Sequence, residues 1–291
     1  MKEKMKFDVV VGNPPFKGRG DLHLKFLNLA YKLSSGYIVW IHPSTWILDE
    51  RGTNKKYEYT KKLIKDNIVN LTFFNGNPIF DVKLFVPFVI EFIDKNNNNK
   101  GQIKVFDKLN QKQITYQNIE EINKWGDIKI YPILKNKILK LCEEDNLNNH
   151  DNKKEGSWYV NLSLLRGNVE LKSPQKMVKN DFYTFFPKDP IKPSREIQEK
   201  FLDRTLFWSF KSEEEATNFI NFLKTRWAMF SLSIFKNNQH FLFGNAIESV
   251  PWLNWSEPWT EERFEKLINA TPEEIEFVHK NIPDYYHIAN D

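Results

Sequence analysis

The apolar run Phe7-Asp8-Val9-Val10-Val11-Gly12, stopped abruptly by Asn13-Pro14-Pro15-Phe16, constrains the fold more than any other stretch of the chain. A short β-branched run ended by a turn reads as a buried parallel strand. Apolar residues at Leu22, Phe26, Leu29, Ala30 and Leu33 then recur at a helical period over 21–33, with Gly36 as the expected terminator. Tyr37 to His42 reads as the next buried strand, and Pro43-Ser44-Thr45-Trp46 as its turn at the carboxyl edge of the sheet. A helix over 56–65, a strand over 68–74 and a long strand over 85–93 follow, before the polar run 94–100. This order gives an α/β fold: the second half of a doubly wound, Rossmann-like sheet, without the first half.

Beyond it, residues 103–106 and 128–130 read as short strands around a polar helix near 118–124, and 131–141 as a helix. From Gly156 onward the texture changes to short aromatic segments, with helices expected at 213–224, capped by Ser212 and Glu215, and from Pro272, capped by Thr271 and Glu274. The expected division is therefore a half-domain at 1–100, a connecting region at 101–155 and an α+β domain at 156–291.

At 291 residues the chain can bury a sizeable core, and its composition is that of a globular protein. Forty-two basic against 38 acidic residues leave a charge of +4, so a nucleic-acid footprint has to be local. Its most basic stretch holds Lys172, Lys176, Lys179, Lys188, Lys192, Arg195, Lys200 and Arg204 among Phe182, Phe185 and Phe186. These residues suit phosphate contacts or, equally, a solvated surface. Aromatics reach 15%, with 24 Phe and 9 Trp, which serves core packing or base stacking. Trp208, Trp227, Trp252, Trp255 and Trp259 are expected mainly in the core.

Cys142 stands alone, which excludes an intramolecular disulfide and a multi-cysteine metal site. The six histidines lack metal-ligand spacing and read as scattered surface residues, so no metal is expected. No apolar run reaches 18 residues, and residues 1–6 hold no signal-peptide core, which points to a cytoplasmic protein without membrane contact.

In open α/β sheets, ligands bind beyond the carboxyl ends of the strands, where Asn13 to Phe16 would sit. An amino group conjugated to an aromatic ring is a poor nucleophile, because its lone pair is delocalised. A catalyst must accept hydrogen bonds from its N–H groups. The Asn13 side-chain oxygen can accept one and the Pro14 carbonyl the other, on a loop that Pro14 and Pro15 stiffen. Phe16 offers a flat face for an extruded base.

With these residues the chain resembles the adenine-N6 DNA methyltransferases of restriction-modification systems, in the group whose target-recognition domain follows the catalytic domain. Asp8 to Phe16 looks like that family's catalytic strand and loop; 24–44 is similar to its next helix and strand. The stretch 73–80, followed by 86–95, resembles its late catalytic element, in which an aromatic residue, here Phe80, flanks the base opposite Phe16. Segments 212–227, 250–252 and 259–285 are similar to its recognition domains. The resemblance implies a double-stranded DNA substrate and an adenine flipped out of the duplex. N6 would be held by Asn13 and Pro14, between Phe16 and Phe80, and would attack the sulfonium methyl of S-adenosylmethionine directly.

The family also carries, before the catalytic strand, a glycine-rich loop that holds the methyl donor. Only six residues precede Phe7 here, and after Gly167 the single glycine is Gly244. Gly18 and Gly20 follow the catalytic loop and open no strand-to-helix turn of the donor-binding type. A partner polypeptide supplying the cofactor half is therefore expected. The alternatives are a DNA-binding remnant without catalysis, and a protein-glutamine or RNA methyltransferase.

Overall fold

The structure is a computed structural model, described here for residues 6–15, 22–49, 54–80, 87–97, 102–108, 111–151, 156, 158–164, 185–187, 207–235 and 246–282. The chain forms two compact units, built mainly from residues 1–128 and 129–291. Among the described residues no helix is long and apolar enough to cross a membrane.

The first unit is α/β. Its strands are β1 (Phe7–Gly12), β2 (Ser34–Pro43), β3 (Ile68–Phe74), β4 (Phe88–Asp94), β5 (Ile103–Asp107) and β6 (Lys112–Tyr116). They form one mixed sheet in the order β1-β2-β4-β3-β5-β6. The β1/β2 and β3/β5 pairs are parallel; the other three are antiparallel. Helices α1 (Leu22–Leu33) and α2 (Lys55–Ile64), with the short α3 (Asn77–Phe80), complete the unit. The Asn54 side chain caps α2 by accepting from the Lys56 N–H. Cross-strand register puts Ile38, Trp40 and His42 of β2 on the same face as Val89, Glu91 and Ile93 of β4 and Leu71 and Phe73 of β3. Leu24 and Leu27 of α1 and Ile64 of α2 bury against this face and form the core.

Several expectations need correction. Gly36 does not end the first helix but lies inside β2, where a Cβ would stand 2.6 Å from the Asp8 carbonyl oxygen. Four of the five residues that mark the helical period of α1 lie on its outer side, and only Ala30 of them is buried. Leu22, Phe26, Leu29 and Leu33 are 37–50% exposed, while Leu24 and Leu27 are buried. The helix is apolar on two sides, so periodicity alone could not choose between them. Strand β6 escaped notice because Lys112-Gln113-Ile114-Thr115-Tyr116 alternates weakly. The polar helix near 118–124 is a single 3-10 turn, Ile119–Glu121, and residues 128–130 lead into a helix instead of forming a strand. Residues 101–155 contribute β5 and β6 to the first unit and a long helix to the second.

That helix is α4 (Ile130–Glu144), followed by β7 (Trp158–Leu164), β8 (Phe185–Pro187) and β9 (Phe207–Phe210), which make an antiparallel sheet in the order β8-β7-β9. Helices α5 (Glu213–Leu223), α6 (Arg226–Phe235), α7 (Glu261–Leu267) and α8 (Pro272–Asn281) complete the second unit. Ser212 caps α5 by accepting from the Glu215 N–H, but the Glu215 carboxylate returns to the Lys211 N–H rather than to Ser212. At α8 the reciprocal capping box of Thr271 and Glu274 is complete, and Lys137 of α4 pairs with Glu274 at 2.7 Å. The core is aromatic: Trp208, Phe219, Phe222, Trp227, Phe230 and Phe264 are fully buried. Trp255 joins them, while Trp252 and Trp259 stay partly exposed. Cys142 is buried on α4, and desolvation pushes its thiol up to about 12.

Candidate functional site

Three chain segments leave the first unit's sheet at one end. Gly12 pairs with Trp40, and both Pro43 and Phe74 pair with Phe88. The loop beginning at Asn13, the turn at Ser44 and the turn carrying α3 therefore share the edge formed by the carboxyl ends of β1, β2 and β3. Asn13 and Pro15 are exposed on this edge, and Pro14 is buried between them. Phe80 is half-buried, with its ring centroid 5.0 Å from that of Phe88. Phe16 lies outside the described residues, as do Lys172, Lys176, Lys179, Lys188, Lys192 and Arg195. Ser44 is fully buried and holds the edge together, its backbone N–H and its hydroxyl both donating to the Pro87 carbonyl at 3.0 and 2.8 Å.

Gly12 is required by its neighbour. A Cβ there would stand 1.9 Å from Cζ3 of Trp40, whose indole is buried. Gly12→Ala is therefore expected to cost about 3 kcal/mol, at the upper end of overpacking costs, because a buried ring in a β-sheet core has nowhere to move. Chemical denaturation measures it. Restoration of most of the loss by Trp40→Leu in the same chain would assign the cost to this contact, and an unchanged midpoint in Gly12→Ala would refute it.

Beneath the edge lies a buried hydrogen-bonded pair that the sequence did not reveal. The imidazole Nε2 of His42 is 2.7 Å from Oε1 of Glu91, and both side chains are fully buried. The indole N–H of Trp46 points at the same Nε2 from 3.2 Å. His23 of α1 covers them, its ring centroid 5.1 Å from that of His42. The other polar atoms of the pair, His42 Nδ1 and Glu91 Oε2, are buried without a hydrogen bond. Reading the histidines as surface residues was thus wrong for His23 and His42. Spacing along the chain could not show this, since β2 and β4 meet only through register.

The opposite face of the sheet is bare at β1. Phe7, Val9 and Val11 point the same way and are 44%, 53% and 72% exposed, with Tyr37 beside Val9 at 43%. Among the described residues, β1 lies at the edge of the sheet and pairs only with β2. Continuous apolar strands of this composition belong in sheet interiors, and a bare apolar edge invites pairing.

In the second unit, Glu261, Glu265 and His279 bring carboxylate and imidazole atoms within 4.8 Å of one another. Both carboxylates already have protein partners there: Glu261 accepts from Arg226, and Glu265 from the Trp227 indole at 2.9 Å.

Residues 1–80 match the family of the Eco57I restriction-modification methylase. No curated protein matches the chain. Among solved structures, the chain is similar to the one described under "Characterization and crystal structure of the type IIG restriction endonuclease BpuSI", with 10% identity and a TM-score of 0.35. That match covers 95% of this chain and 54% of the other, so the chain spans about half the length of the solved protein. The family match takes in β1 and all three segments that build the candidate edge: the Asn13 loop, the turn at Ser44 and the turn carrying Phe80.

Proposed function

We propose that the first unit supplies the base-holding side of a DNA adenine-N6 methyltransferase active site, and that the second unit contributes recognition of the duplex. The observation that carries this reading is the position of Asn13-Pro14-Pro15, at the carboxyl end of β1 and within the stretch matched by a restriction-modification methylase family. Asn13 offers an exposed side-chain oxygen to one N6–H of an extruded adenine, and the Pro14 carbonyl takes the other. Held this way, the amino nitrogen turns its lone pair towards the methyl donor. The ring stacks between Phe16 and Phe80.

The methyl donor implied by the family is S-adenosylmethionine. Gly76 is the glycine between β3 and α3, but the space at its Cα is filled by Phe88, 2.3 Å from where a Cβ would lie. No donor-binding step is assigned to these residues. The bare face of β1 and the outer stripe of α1 fit instead an additional β-strand and helix layer carrying the donor site, supplied by a partner polypeptide. The full reading is then half of a doubly wound methyltransferase sheet, followed by a target-recognition domain.

Titration calorimetry on this chain is expected to show no heat of S-adenosylmethionine binding, while duplex DNA binds at low salt and weakens steeply as salt rises. Sedimentation should show self-association through the bare edge. Saturable donor binding would overturn the assignment of the donor site to a partner, and absence of duplex binding at low salt would overturn the DNA reading altogether.

A further inference from the structure

We infer that a second binding site, for an amino-bearing nucleobase, lies in the second unit between the end of β9 and the segment after Pro251. A cavity of about 570 Å³ opens there, lined by His150, Phe210, Lys211, Glu215, Trp252 and Asn254 among others. Its wall is a set of nearly parallel rings. His150 stacks on Trp252 with ring centroids 3.9 Å apart and planes within 12°, and Phe210 is parallel to Trp252 within 7° at 5.9 Å. Trp255 closes the set edge-on, at 86° to Trp252.

The His150 ring is held in its plane. Its Nε2 is 2.7 Å from Oδ2 of Asp145, which sits in a net of donors. Burial pushes the Asp145 carboxyl up, but hydrogen bonds from His150, Asn149 and the Asn146 N–H, together with the charge of His150, outweigh it and hold the group below its ordinary value. Asp145 is thus a carboxylate at neutral pH, and the ring it anchors is a fixed stacking surface that costs a planar ligand little ordering entropy.

The polar groups around the rings are those that read a base edge. Glu215 Oε2 accepts from the Lys211 N–H, which leaves Oε1 to accept from an exocyclic amino group. The Asn254 carboxamide oxygen is engaged by Ser256, which leaves its NH₂ to donate to a ring nitrogen. The Glu215 carboxylate can accept from the amino group of adenine, cytosine or guanine; uracil and thymine offer it only N3–H, whose two flanking carbonyls would then face the carboxylate. A phosphate is not part of the recognition, because Glu213, Glu214 and Glu215 open α5 beside the cavity. The base comes either from a free nucleoside or from an unstacked position in nucleic acid.

The inference is independent of the methyl-transfer reading, and its test involves no methyl transfer. Adenosine and uridine are titrated into the full chain by saturation-transfer NMR and calorimetry. Adenosine should bind saturably and uridine more weakly. His150→Ala should weaken adenosine about tenfold, the loss of one stacking partner, and Glu215→Gln should erase the preference for adenosine over uridine while circular dichroism stays unchanged. In a second arm, a duplex with one bulged adenine is compared with its perfect counterpart. Tighter binding of the bulged duplex, lost in His150→Ala, would identify nucleic acid as the source; discrimination seen only with adenosine would identify the nucleoside. Absence of saturable adenosine binding, or adenosine binding equal in wild type, His150→Ala and Glu215→Gln, would overturn the site. Failure of both duplexes to bind leaves the adenosine arm decisive here, and counts only against the DNA reading.

Discussion

Glu91→Ala is expected to destabilise the first unit by about 3–5 kcal/mol, the cost of breaking a buried pair by removing one member. Glu91 lies in the core face of the sheet, directly opposite Trp40 on β2 and Leu71 on β3. Its removal opens a cavity at that point and takes away the only carboxylate facing His42 Nε2 among the described residues. The Trp46 indole remains at 3.2 Å, but His42 Nδ1 already lacks a hydrogen bond, so the imidazole is left poorly satisfied in a dry environment. Glu91→Gln keeps the volume and one polar atom near Nε2, and should cost less than half as much. Replacing His42 and Glu91 together by leucines should cost less than the sum of the two single changes, since neither then strands the other. Urea denaturation followed by tryptophan fluorescence measures all four. A loss below about 1 kcal/mol for Glu91→Ala would show that the pair contributes little to the fold.

The second large effect is on catalysis. If the chain clamps an adenine amino group as proposed, Asn13→Ala, assayed with a partner that supplies the donor site, is expected to lower methyl transfer about 10²–10³-fold, the size of losing one preorganised polar contact to a reacting group. Stability should change by less than about 0.5 kcal/mol, because Asn13 is exposed and lies just beyond the last residue of β1. Asn13→Asp retains an acceptor at the same position and should keep more activity than Asn13→Ala. Equal loss of activity and of thermal stability in Asn13→Ala would assign the residue to the fold rather than to the substrate.

How much of this was legible in the chain follows from the range of each interaction. The strands at 7–12 and 68–74 announce themselves as β-branched runs, and α8 as a capping box behind Thr271, because these signals are local. Local signals failed where two answers satisfied the same pattern. α1 is apolar on both sides, so its helical period could not show that Leu22, Phe26, Leu29 and Leu33 lie on the exposed side. Gly36 looked like a helix stop, but the parallel neighbour β1 is what requires it.

Asn13 to Phe16 can be singled out from the sequence because the four residues are consecutive. His42 with Glu91, and His150 with Phe210 and Trp252, cannot. Each set is assembled from distant segments by register and packing. His42 and His150 both read as surface histidines in the sequence, since Glu91 and Trp252, which they meet, lie far from them along the chain.

The decisive property of the proposed reaction is which atom of which base receives the methyl group. Duplex DNA incubated with the chain, its donor-binding partner and labelled S-adenosylmethionine is digested to nucleosides and analysed by mass spectrometry. The expected result is N6-methyl-2′-deoxyadenosine, absent when Asn13→Ala replaces the wild-type chain. Label in a methylated cytosine, or in N6-methyladenine formed equally well with Asn13→Ala, would contradict the assignment of Asn13 and Pro14 as the clamp on an adenine amino group.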